Sequence, residues 1–597
     1  MDKIYVLFGA GAFCKEVIAF VGKEQIAFIV DNSGEKSGKY IDGIKVFLPD
    51  DRKEELKKYT VIIAVSNKFE KEIEDQLIAE GIHNYKKFNT LKYQMIRERI
   101  NSRPDKLAIY KNAIRWIVDN SVNQEGIICN SGERLSYPEV SGYYIPTLLK
   151  WGYRDLAIQY AGWLLRIQKK DGAWYDTYNR APYVFDSGQI LKGLLAIRNI
   201  LPEVDQSIIK GCEWILSNMQ PDGRLTTPDR SAWGGGRVCT ELIHLYCLSP
   251  LIEAGSLYGR DDFVKKAKRI LKYYITNHLE EIKGFYCLSH FYAYIMEALV
   301  DLGETELAME CMSGVQKLQN TEGVVPGYKD VHWVCSTGLF QLALVWYKLG
   351  NLECGNRAFD YACSLQNESG GWYGSYLVDD GYNETNDYFP AREISWANKY
   401  FLDALYYKNK LEFDRDSHLF LDQIDPKDER YIEIKKTVAA YDGGKILDVG
   451  CGKGRYLKNL LKDTSDTNLF AVDLSEKVMK YIENPSVTLK QGSLCNIPYE
   501  DNYFDVAYTC EALEHAIDIE SAIREMARVT RSGGTIVIID KNIQAYGALE
   551  IGEWEQWFDE RKLIRELNRY CSSVNVKPIT ERNGVKGLFY VWKGVIK

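Results

Sequence analysis

The stretch Lys445-Ile-Leu-Asp-Val-Gly-Cys-Gly-Lys-Gly454 decides the fold of the C-terminal part of the chain. It is a short apolar strand that breaks into three alternating glycines, Gly450, Gly452 and Gly454, and the residues from Arg455 to Leu461 have the pattern of a helix. Such glycines let the backbone turn tightly and approach a ligand closely. The pattern predicts a nucleotide-type loop and is also compatible with an ordinary strand-to-helix turn.

A second apolar strand, Leu469 to Val472, strengthens the ligand-binding interpretation. It ends at Asp473, a position from which a carboxylate can hold a ribose diol, and its separation from the glycines fits a βαβ unit. Asp448 is expected within the glycine loop, where a negative charge suits a cationic ligand better than a pyrophosphate. Together these residues favour a sulfonium cofactor.

From Lys445 to about Lys597 the chain resembles a class I S-adenosylmethionine-dependent methyltransferase. The further phrases that carry the resemblance are Val472-Asp473-Leu474-Ser475, Ile497-Pro498-Tyr499-Glu500-Asp501-Asn502-Tyr503-Phe504-Asp505, Glu511-Ala512-Leu513-Glu514-His515 and Arg531-Ser532-Gly533-Gly534. The resemblance implies S-adenosylmethionine as the cofactor, bound by Asp448, Gly450, Gly452, Gly454, Asp473, Ser493 and Glu511. Ser493 stands where the family often has an acidic residue that meets the adenine amino group, so adenine recognition departs from the family pattern.

His515 is the candidate base for methyl transfer. It follows the expected fourth strand, Asp505 to Thr509, whose end faces the methyl group in this family, and it is the only histidine of the C-terminal region. A hydroxyl acceptor must lose its proton, and a base that titrates near neutral pH removes it best. The alternative is that His515 only packs on the neighbouring helix.

Length and composition bound the rest of the chain. At 597 residues, with 46% apolar residues, it should hold three or so globular domains. The formal net charge of −8 argues against nucleic acid as a partner. No run is long enough to span a bilayer, so we expect a cytoplasmic protein. The 14 cysteines form no Cys-x-x-Cys pair, and we expect reduced thiols and no structural metal.

Residues 1–90 have the pattern of a separate small α/β domain. A strand, a glycine turn with Gly9 and Gly11, a helix and a second strand ending at Asp31 form another βαβ beginning. The region resembles the Rossmann-like domains of sugar acyltransferases and sugar C-methyltransferases. The resemblance implies a nucleotide site at Gly9, Gly11 and Asp31, used for docking or for a sugar nucleotide. Cys14 replaces the third glycine of the dinucleotide pattern, which disfavours a nicotinamide.

The middle third, residues 97–407, is a repeat. Phrases such as Gln168-Lys169-Lys170-Asp171-Gly172-Ala173-Trp174 and Gln366-Asn367-Glu368-Ser369-Gly370-Gly371-Trp372 recur, with weaker copies at Gln124 and Asn277, roughly every 50 residues. Each phrase follows an amphipathic helix and precedes a more apolar one, so the polar helices should lie outside. The pattern resembles the (α/α)6 toroid of terpenoid cyclases, prenyltransferases and glycan hydrolases and lyases, without the acidic motif of squalene-type cyclases.

Polar phrases open the inner helices of this predicted toroid, and their ends should converge on one mouth. The expected catalytic carboxylates are Glu139 and Asp186, and the expected substrate-binding residues are Glu241, His290, His332, Glu393 and Trp333. With Trp174, Trp233, Trp372 and Trp396 they would form an acidic, aromatic cup for a sugar. Helix capping and packing of the turns remain the alternative for any one of these residues.

The sequence thus predicts a multidomain protein: an α/β Rossmann-like domain (1–90), an all-α (α/α)6 toroid (97–407) and an α/β class I methyltransferase domain (431–597), joined by Leu91 to Lys106 and Lys408 to Arg430. We expect a methyltransferase acting on a sugar, sugar nucleotide or glycan in polysaccharide or glycoconjugate biosynthesis. The alternatives are a toroid with its own hydrolase, lyase or epimerase activity, and a glycan-binding scaffold without catalysis. The oligomeric state stays open.

Overall fold

The structure, a computed structural model, describes residues 4–65, 67–88, 91, 106–229, 240–378, 388–464, 467–546, 548–549, 555–582 and 585–597. Trp233 and nearly all of the predicted linker from Leu91 to Lys106 lie outside these residues. The chain divides into two compact units, Met1–Asp105 and Lys106–Lys597. The second unit contains both the helical region and the C-terminal sheet, and the limits predicted for separate domains there stay predictions.

The first unit is built on one sheet with the strand order β3-β4-β2-β1-β5-β6. All neighbouring pairs are parallel except the hairpin of β3 and β4. Its elements are β1 (Tyr5–Phe8), α1 (Ala12–Val21), β2 (Ile26–Val30), β3 (Tyr40–Ile41), β4 (Ile44–Phe47), α2 (Lys53–Leu56), β5 (Thr60–Ile63), α3 (Asn67–Ala79) and β6 (Tyr85–Lys87). Leu7 packs in a core that contains α1, and Val6 and Phe8 pack in a core that contains α3, because successive strand residues face opposite sides. Both faces of the sheet are therefore covered.

The second unit begins with paired helices of two kinds. Amphipathic helices lie outside: α4 (Lys106–Asp119), α6 (Arg154–Ile167), α8 (Asp205–Ser217), α10 (Asp261–Asn277), α13 (Thr305–Gln316) and α15 (Leu352–Ser364). Helices buried on most of their circumference alternate with them: α5 (Pro138–Lys150), α7 (Val184–Ile197), a 3₁₀ turn (Glu241–Cys247) that continues into α9 (Leu248–Tyr258), α12 (Ser289–Asp301), α14 (Ser336–Lys348) and α16 (Ser395–Asp416). The short helix α11 (Leu279–Gly284) and the strands β7 (Trp333–Cys335) and β8 (Ser375–Leu377) lie between them.

Burial separates the two kinds of helix as the sequence predicts. Helix α10 buries Phe263, Ala267, Ile270 and Tyr274, which form one helical face, whereas α14 buries every residue from Ser336 to Tyr347. Each inner helix packs on the next, and α16 packs on α5. The inner helices therefore form a closed ring.

The repeated glutamines connect the hairpins of this ring. The Gln168 amide donates to the carbonyl oxygen of Ser207 in α8 at 2.9 Å, and the Gln366 amide donates to that of Ile109 in α4 at 3.0 Å. Each amide also bonds to the glycine of its own turn, Gly172 or Gly370. The phrase therefore has a structural role at these copies, since Gln168 ties its turn to the following outer helix and Gln366 joins the last turn to the first helix.

Helix α16 corrects the predicted linker from Lys408 to Arg430. It runs unbroken from Ser395 to Asp416, so its last nine residues lie beyond the predicted end of the toroid at residue 407. The charged composition suggested a connector, but residues 408–416 contain no Gly or Pro and Lys408 is itself buried beside Glu412. The inner helix thus continues into the region of the C-terminal sheet.

The C-terminal part is a seven-stranded sheet with the order β11-β10-β9-β12-β13-β15-β14, in which only the pairs made by β15 are antiparallel. The elements are α17 (Glu429–Val438), β9 (Lys445–Val449), α18 (Arg455–Asp463), β10 (Asn468–Asp473), α19 (Glu476–Met479), β11 (Val487–Gln491), β12 (Phe504–Cys510), α20 (Ile519–Val529), β13 (Thr530–Lys541), α21 (Glu560–Leu567), β14 (Cys571–Arg582) and β15 (Val585–Ile596). The predicted strands and helix around the glycines are confirmed to within two residues. No helix among the described residues combines the length and apolar character needed to cross a membrane.

Candidate active site

The glycine loop follows β9 at the carboxyl edge of the sheet. Gly450, Gly452 and Gly454 have φ values of 78°, 52° and 72°, which favour glycine. A Cβ at Gly450 would lie 2.5 Å from the Cβ of Ala512, and one at Gly454 would lie 2.7 Å from Cγ1 of Ile482. Two of the three glycines are therefore also required by close packing.

Asp473 ends β10 beside this loop. Its Oδ2 accepts a hydrogen bond from the Gly452 amide at 2.8 Å, and its Oδ1 accepts one from the Ser475 amide at 2.9 Å. Burial raises the pKa of Asp473 above its ordinary value in spite of these two bonds. The carboxylate is thus held in a fixed orientation where it lines a cavity.

Asp448 does not lie in the glycine loop, where the sequence analysis placed it. It is the fourth residue of β9, opposite Ala471 and Tyr508 in the neighbouring strands, and it is 2% exposed. The Tyr508 hydroxyl donates to its Oδ2 at 2.8 Å, and burial raises its pKa to about 7. Strand pairing continues one residue past it, so Asp448 lies beneath the loop and is not among the residues that line the cavity.

Glu511 follows β12 with a positive φ of 53°. Its Oε2 accepts hydrogen bonds from Arg430 at 2.6 Å and from Arg455. Burial opposes ionisation of Glu511, but Arg455 and Arg430 outweigh it and lower the pKa. The Glu511 carboxylate is therefore ionised and paired at the wall of the cavity.

The cavity has a volume of about 450 Å³, which is in the usual range for a small-molecule site. One side of it is formed by residues at or just after the ends of β9, β10, β11 and β12, among them Gly450, Gly452, Asp473, Ser493 and Glu511. Its opposite wall comes from the helical ring, through Lys150, Trp151, Tyr406, Asn409 and Phe413. The Ser493 hydroxyl donates to the carbonyl oxygen of Lys150 at 3.2 Å. The cavity thus belongs to both parts of the second unit.

His515 lines the same cavity on the β12 side. Its ring is 25% exposed, packs edge-on to Phe413 at 5.2 Å, and has Nε2 3.6 Å from Oε1 of Glu514. Burial lowers the pKa of His515, although Glu555 and Glu511 act in the opposite direction. The imidazole is therefore neutral near pH 7, the form in which it can accept a proton.

Glu139, Asp186 and His290 lie together inside the helical ring. The Tyr137 hydroxyl donates to Oδ2 of Asp186 at 3.1 Å, and burial raises the pKa of Asp186 to about 7. Burial and the nearby Asp186 also raise the pKa of Glu139. His290 Nδ1 lies 2.9 Å from the amide oxygen of Gln341, and burial lowers its pKa to about 3. Glu139 and Asp186 thus lie close enough to interact electrostatically, and the neutral imidazole of His290 lies beside Tyr294, a side chain that the charges of both carboxyl groups also affect.

Four other predicted ring residues have different surroundings. Arg224 holds the Glu241 carboxylate with two bonds of 2.5 and 2.6 Å. Glu393 accepts bonds from Trp116 at 2.7 Å and Asn367 at 2.8 Å. His332 is exposed, and Trp333 is buried in β7. The carboxylates of Glu241 and Glu393 are engaged by these partners and hold neighbouring turns of the chain together. We therefore retain only Glu139, Asp186 and His290 as the candidate ring site.

In the first unit, Asp31 is used by the glycine turn itself. Its Oδ2 accepts from the Ala10 amide at 2.7 Å, its Oδ1 accepts from the Ser33 amide at 2.9 Å, and Lys36 lies 3.0 Å away. Gly9 has a φ of 117° and its Cβ would lie 2.5 Å from Val65, whereas a Cβ at Gly11 would meet no described atom within 4 Å. A nucleotide at this turn stays a prediction.

The helical residues of the cavity wall were missed by the sequence analysis. Lys150 and Trp151 end an inner helix, and Asn409 and Phe413 lie in the stretch interpreted as a linker. The available signal was the unbroken helical composition from Ser395 to Asp416, which predicts a helix longer than its neighbours.

Comparison with known proteins finds a methyltransferase family match in the part of the chain that contains the glycine loop of the cavity. Residues 447–538 match the methyltransferase domain family model, and residues 1–88 match the family described as C2185-like, N-terminal. A sterol 24-C-methyltransferase of Aspergillus fumigatus is 32% identical over 107 residues, 17% of this chain and 28% of that protein. A demethylmenaquinone methyltransferase of Desulfitobacterium hafniense is 27% identical over 128 residues, 20% of this chain and 51% of that protein.

Solved structures give likenesses of lower similarity. A phosphoethanolamine N-methyltransferase of Haemonchus contortus in complex with S-adenosylmethionine is 14% identical, covers 33% of this chain and 59% of that chain, and has a TM-score of 0.26. An unsaturated glucuronyl hydrolase specific for heparin is 14% identical, covers 51% of this chain and 97% of that chain, and has a TM-score of 0.39. Likenesses at this level identify no substrate.

The chain spans about half or less of the length of the curated relatives named here. The match to the methyltransferase family model includes the glycine loop, Asp473 and Glu511, and these residues line a cavity of suitable size. The C-terminal part of the chain is therefore an S-adenosylmethionine-dependent methyltransferase domain.

Proposed function

We propose that the protein is a methyltransferase that transfers the methyl group of S-adenosylmethionine to a sugar, sugar nucleotide or glycan. In this proposal the helical ring is an (α/α)6 toroid that binds the acceptor or the glycan to which it belongs. The first unit, with its turn at Gly9 and Asp31, would dock a nucleotide or a partner. The sugar assignment goes beyond the names of the similar methyltransferases, which act on a sterol and on demethylmenaquinone.

The interior of the ring is the observation that supports a sugar. The His290 ring lies 4.5 Å from that of Tyr294 and is parallel to that of Trp396 at 6.4 Å. Burial raises the pKa of Tyr294, and the charges of Glu139 and Asp186 are among those that raise it further. These two carboxyl groups therefore lie near the aromatic rings of Tyr294 and His290. Aromatic faces with a few convergent polar groups suit a carbohydrate.

The carboxyl pair supports a second candidate, a ring with its own acid–base chemistry. The pKa of Asp186 is about 7 and that of Glu139 is raised, so one group can hold a proton while the other is ionised near neutral pH. This is the state that a general acid and a general base require. A glycan-binding ring without catalysis remains the third candidate.

The test is a transfer assay with tritium in the methyl group of S-adenosylmethionine. The acceptors are UDP-N-acetylglucosamine, dTDP-glucose and a chitin oligosaccharide, with demethylmenaquinone and a sterol as the comparison set. We expect label in a sugar acceptor, and Asp473→Ala should weaken cofactor binding about 10- to 100-fold and slow transfer at limiting cofactor, because the ribose contact is lost. Mass spectrometry of the acceptors separates methylation from cleavage.

Label found only in the quinone or the sterol would contradict the sugar proposal and leave the cofactor assignment intact. Cleaved oligosaccharide that disappears in Glu139→Gln would favour the second candidate. Transfer that persists unchanged in Asp473→Ala would contradict the role of this strand end.

A further inference from the structure

The far end of α16 covers the methyltransferase cavity. Its first half lies in the ring, and its last turns carry Asn409 and Phe413 into the cavity wall. Asp414 accepts a hydrogen bond of 2.5 Å from the Ser475 hydroxyl, just after β10, and Phe413 packs on His515, just after β12. The end of this helix therefore bridges the carboxyl ends of β10 and β12.

The end of α5 covers the cavity on the other side. The Lys150 carbonyl accepts from Ser493, which follows β11, and the Lys150 ammonium lies 5.2 Å from the centre of the Tyr406 ring. The Trp151 indole donates to the carbonyl oxygen of Leu402 in α16 at 3.2 Å, which joins the two helices. Trp151 and Tyr406 thus lie over the β11 edge of the cavity.

The two parts are held together by bonds outside the cavity. The hydroxyls of Tyr110 and Tyr153 both donate to Oδ2 of Asp518 at 3.0 Å. Arg154 forms an ion pair with Asp501 at 2.9 Å, and Arg524 donates to the Gly152 carbonyl at 2.8 Å. These bonds between the helical ring and the C-terminal part hold the helical wall in position over the glycine loop.

The order of the strands fixes which end of the cofactor meets this wall. With the ribose at Asp473, the last residue of β10, and the methyl group toward His515, after β12, the adenine would extend toward Ser493, after β11. The Ser493 hydroxyl proton is engaged by Lys150, which leaves only its oxygen lone pairs for the base. Adenine presents an amino donor beside a ring-nitrogen acceptor, and a carboxamide matches both groups at once.

We propose that the helical ring completes the cofactor site, with the Asn409 carboxamide reading the amino edge of adenine and Tyr406 and Trp151 covering its face. Asn409 supplies the polar recognition that the family usually obtains from an acidic residue at the position of Ser493. The proposal rests on the cofactor and is independent of the acceptor, so it can fail while the sugar assignment stands, and the reverse.

The experiment compares two ligands by titration calorimetry on the full chain. One is S-adenosylhomocysteine, and the other is its purine analogue, in which hydrogen replaces the 6-amino group of adenine. The parent should bind the purine analogue about fivefold more weakly, because one hydrogen bond is lost. Asn409→Ala should bind S-adenosylhomocysteine about tenfold more weakly and should bind both ligands equally well.

Arg154→Ala is the matched control, since Arg154 lies at the same junction and is not part of the cavity wall. It should keep the parent's affinity and its preference for the amino group, and thermal unfolding of each variant checks that the chain is folded. Because Asn409 is half-buried on a helix, Asn409→Leu serves as a second variant of similar volume. The proposal is overturned if either Asn409 variant keeps the preference for the amino group, or if Arg154→Ala loses it.

Discussion

Gly452 in the loop after β9 and Gly370 in a turn of the helical ring both have a positive φ, 52° and 98°. A Cβ at Gly370 would lie 2.1 Å from the Asn112 carbonyl oxygen, whereas a Cβ at Gly452 would meet no described atom within 4 Å, and Gly452 lines the cavity. One glycine makes room for the neighbouring helix and the other borders open space. A positive φ alone therefore does not identify a ligand site; at Gly452 the evidence is that the space beside it is empty of protein and borders a cavity.

Alanine at these two positions breaks the comparison most directly. Gly370→Ala should lower the free energy of unfolding by about 3 kcal/mol, because the added Cβ is both strained and in contact with the α4 backbone. Gly452→Ala should cost about 1 kcal/mol of stability and weaken cofactor binding, because its Cβ enters the cavity. Urea unfolding and calorimetry measure the two effects. Equal losses of stability would contradict the distinction.

His515 sharpens the comparison on the side of the sheet. His515→Ala should reduce turnover about 100-fold and leave cofactor affinity unchanged, as expected for loss of a general base. Burial lowers the His515 pKa, so the parent's turnover should fall only as the pH drops below about 6.5. Initial rates between pH 5 and 8 measure this acid limb, which should vanish in the variant. Unchanged turnover would leave His515 a packing role only.

The carboxyl group of Asp186 in the ring should make the stability of the protein depend on pH, with stability lost as the pH rises. The pKa of Asp186 is raised to about 7, so the folded state favours its neutral form and stability should fall as the pH rises from about 4 to about 7. The unfolding midpoint of the parent should decrease by about 3 °C across this range, and Asp186→Asn should flatten the curve. Calorimetric scans at several pH values measure it. Parallel curves for parent and variant would mean that Asp186 is solvated.

The sequence predicted the elements that local pattern determines. The strand before the glycines, the strand ending at Asp473 and the inner and outer helices follow from apolar periodicity. The surroundings of Glu241 and Glu393 could not be predicted, because their partners Arg224 and Trp116 are 17 and 277 residues away and only packing brings them together. The position of Asn409 in the cavity wall could not be predicted for the same reason, because it depends on how the ring packs against the sheet.

The bond from Gln366 to the Ile109 carbonyl has a consequence for folding, because it joins residues 257 positions apart. Helix α4, which receives it, also carries Tyr110, one of the two hydroxyls bonded to Asp518. During synthesis α4 is made first, but its contact with the last hairpin can form only after that hairpin has been synthesised. Contacts between residues so far apart in sequence form slowly. Helix α4 also carries part of the surface that meets the C-terminal sheet, so the methyltransferase domain should dock only after the ring has closed. Until then, the first hairpin would be the segment most exposed to chaperones.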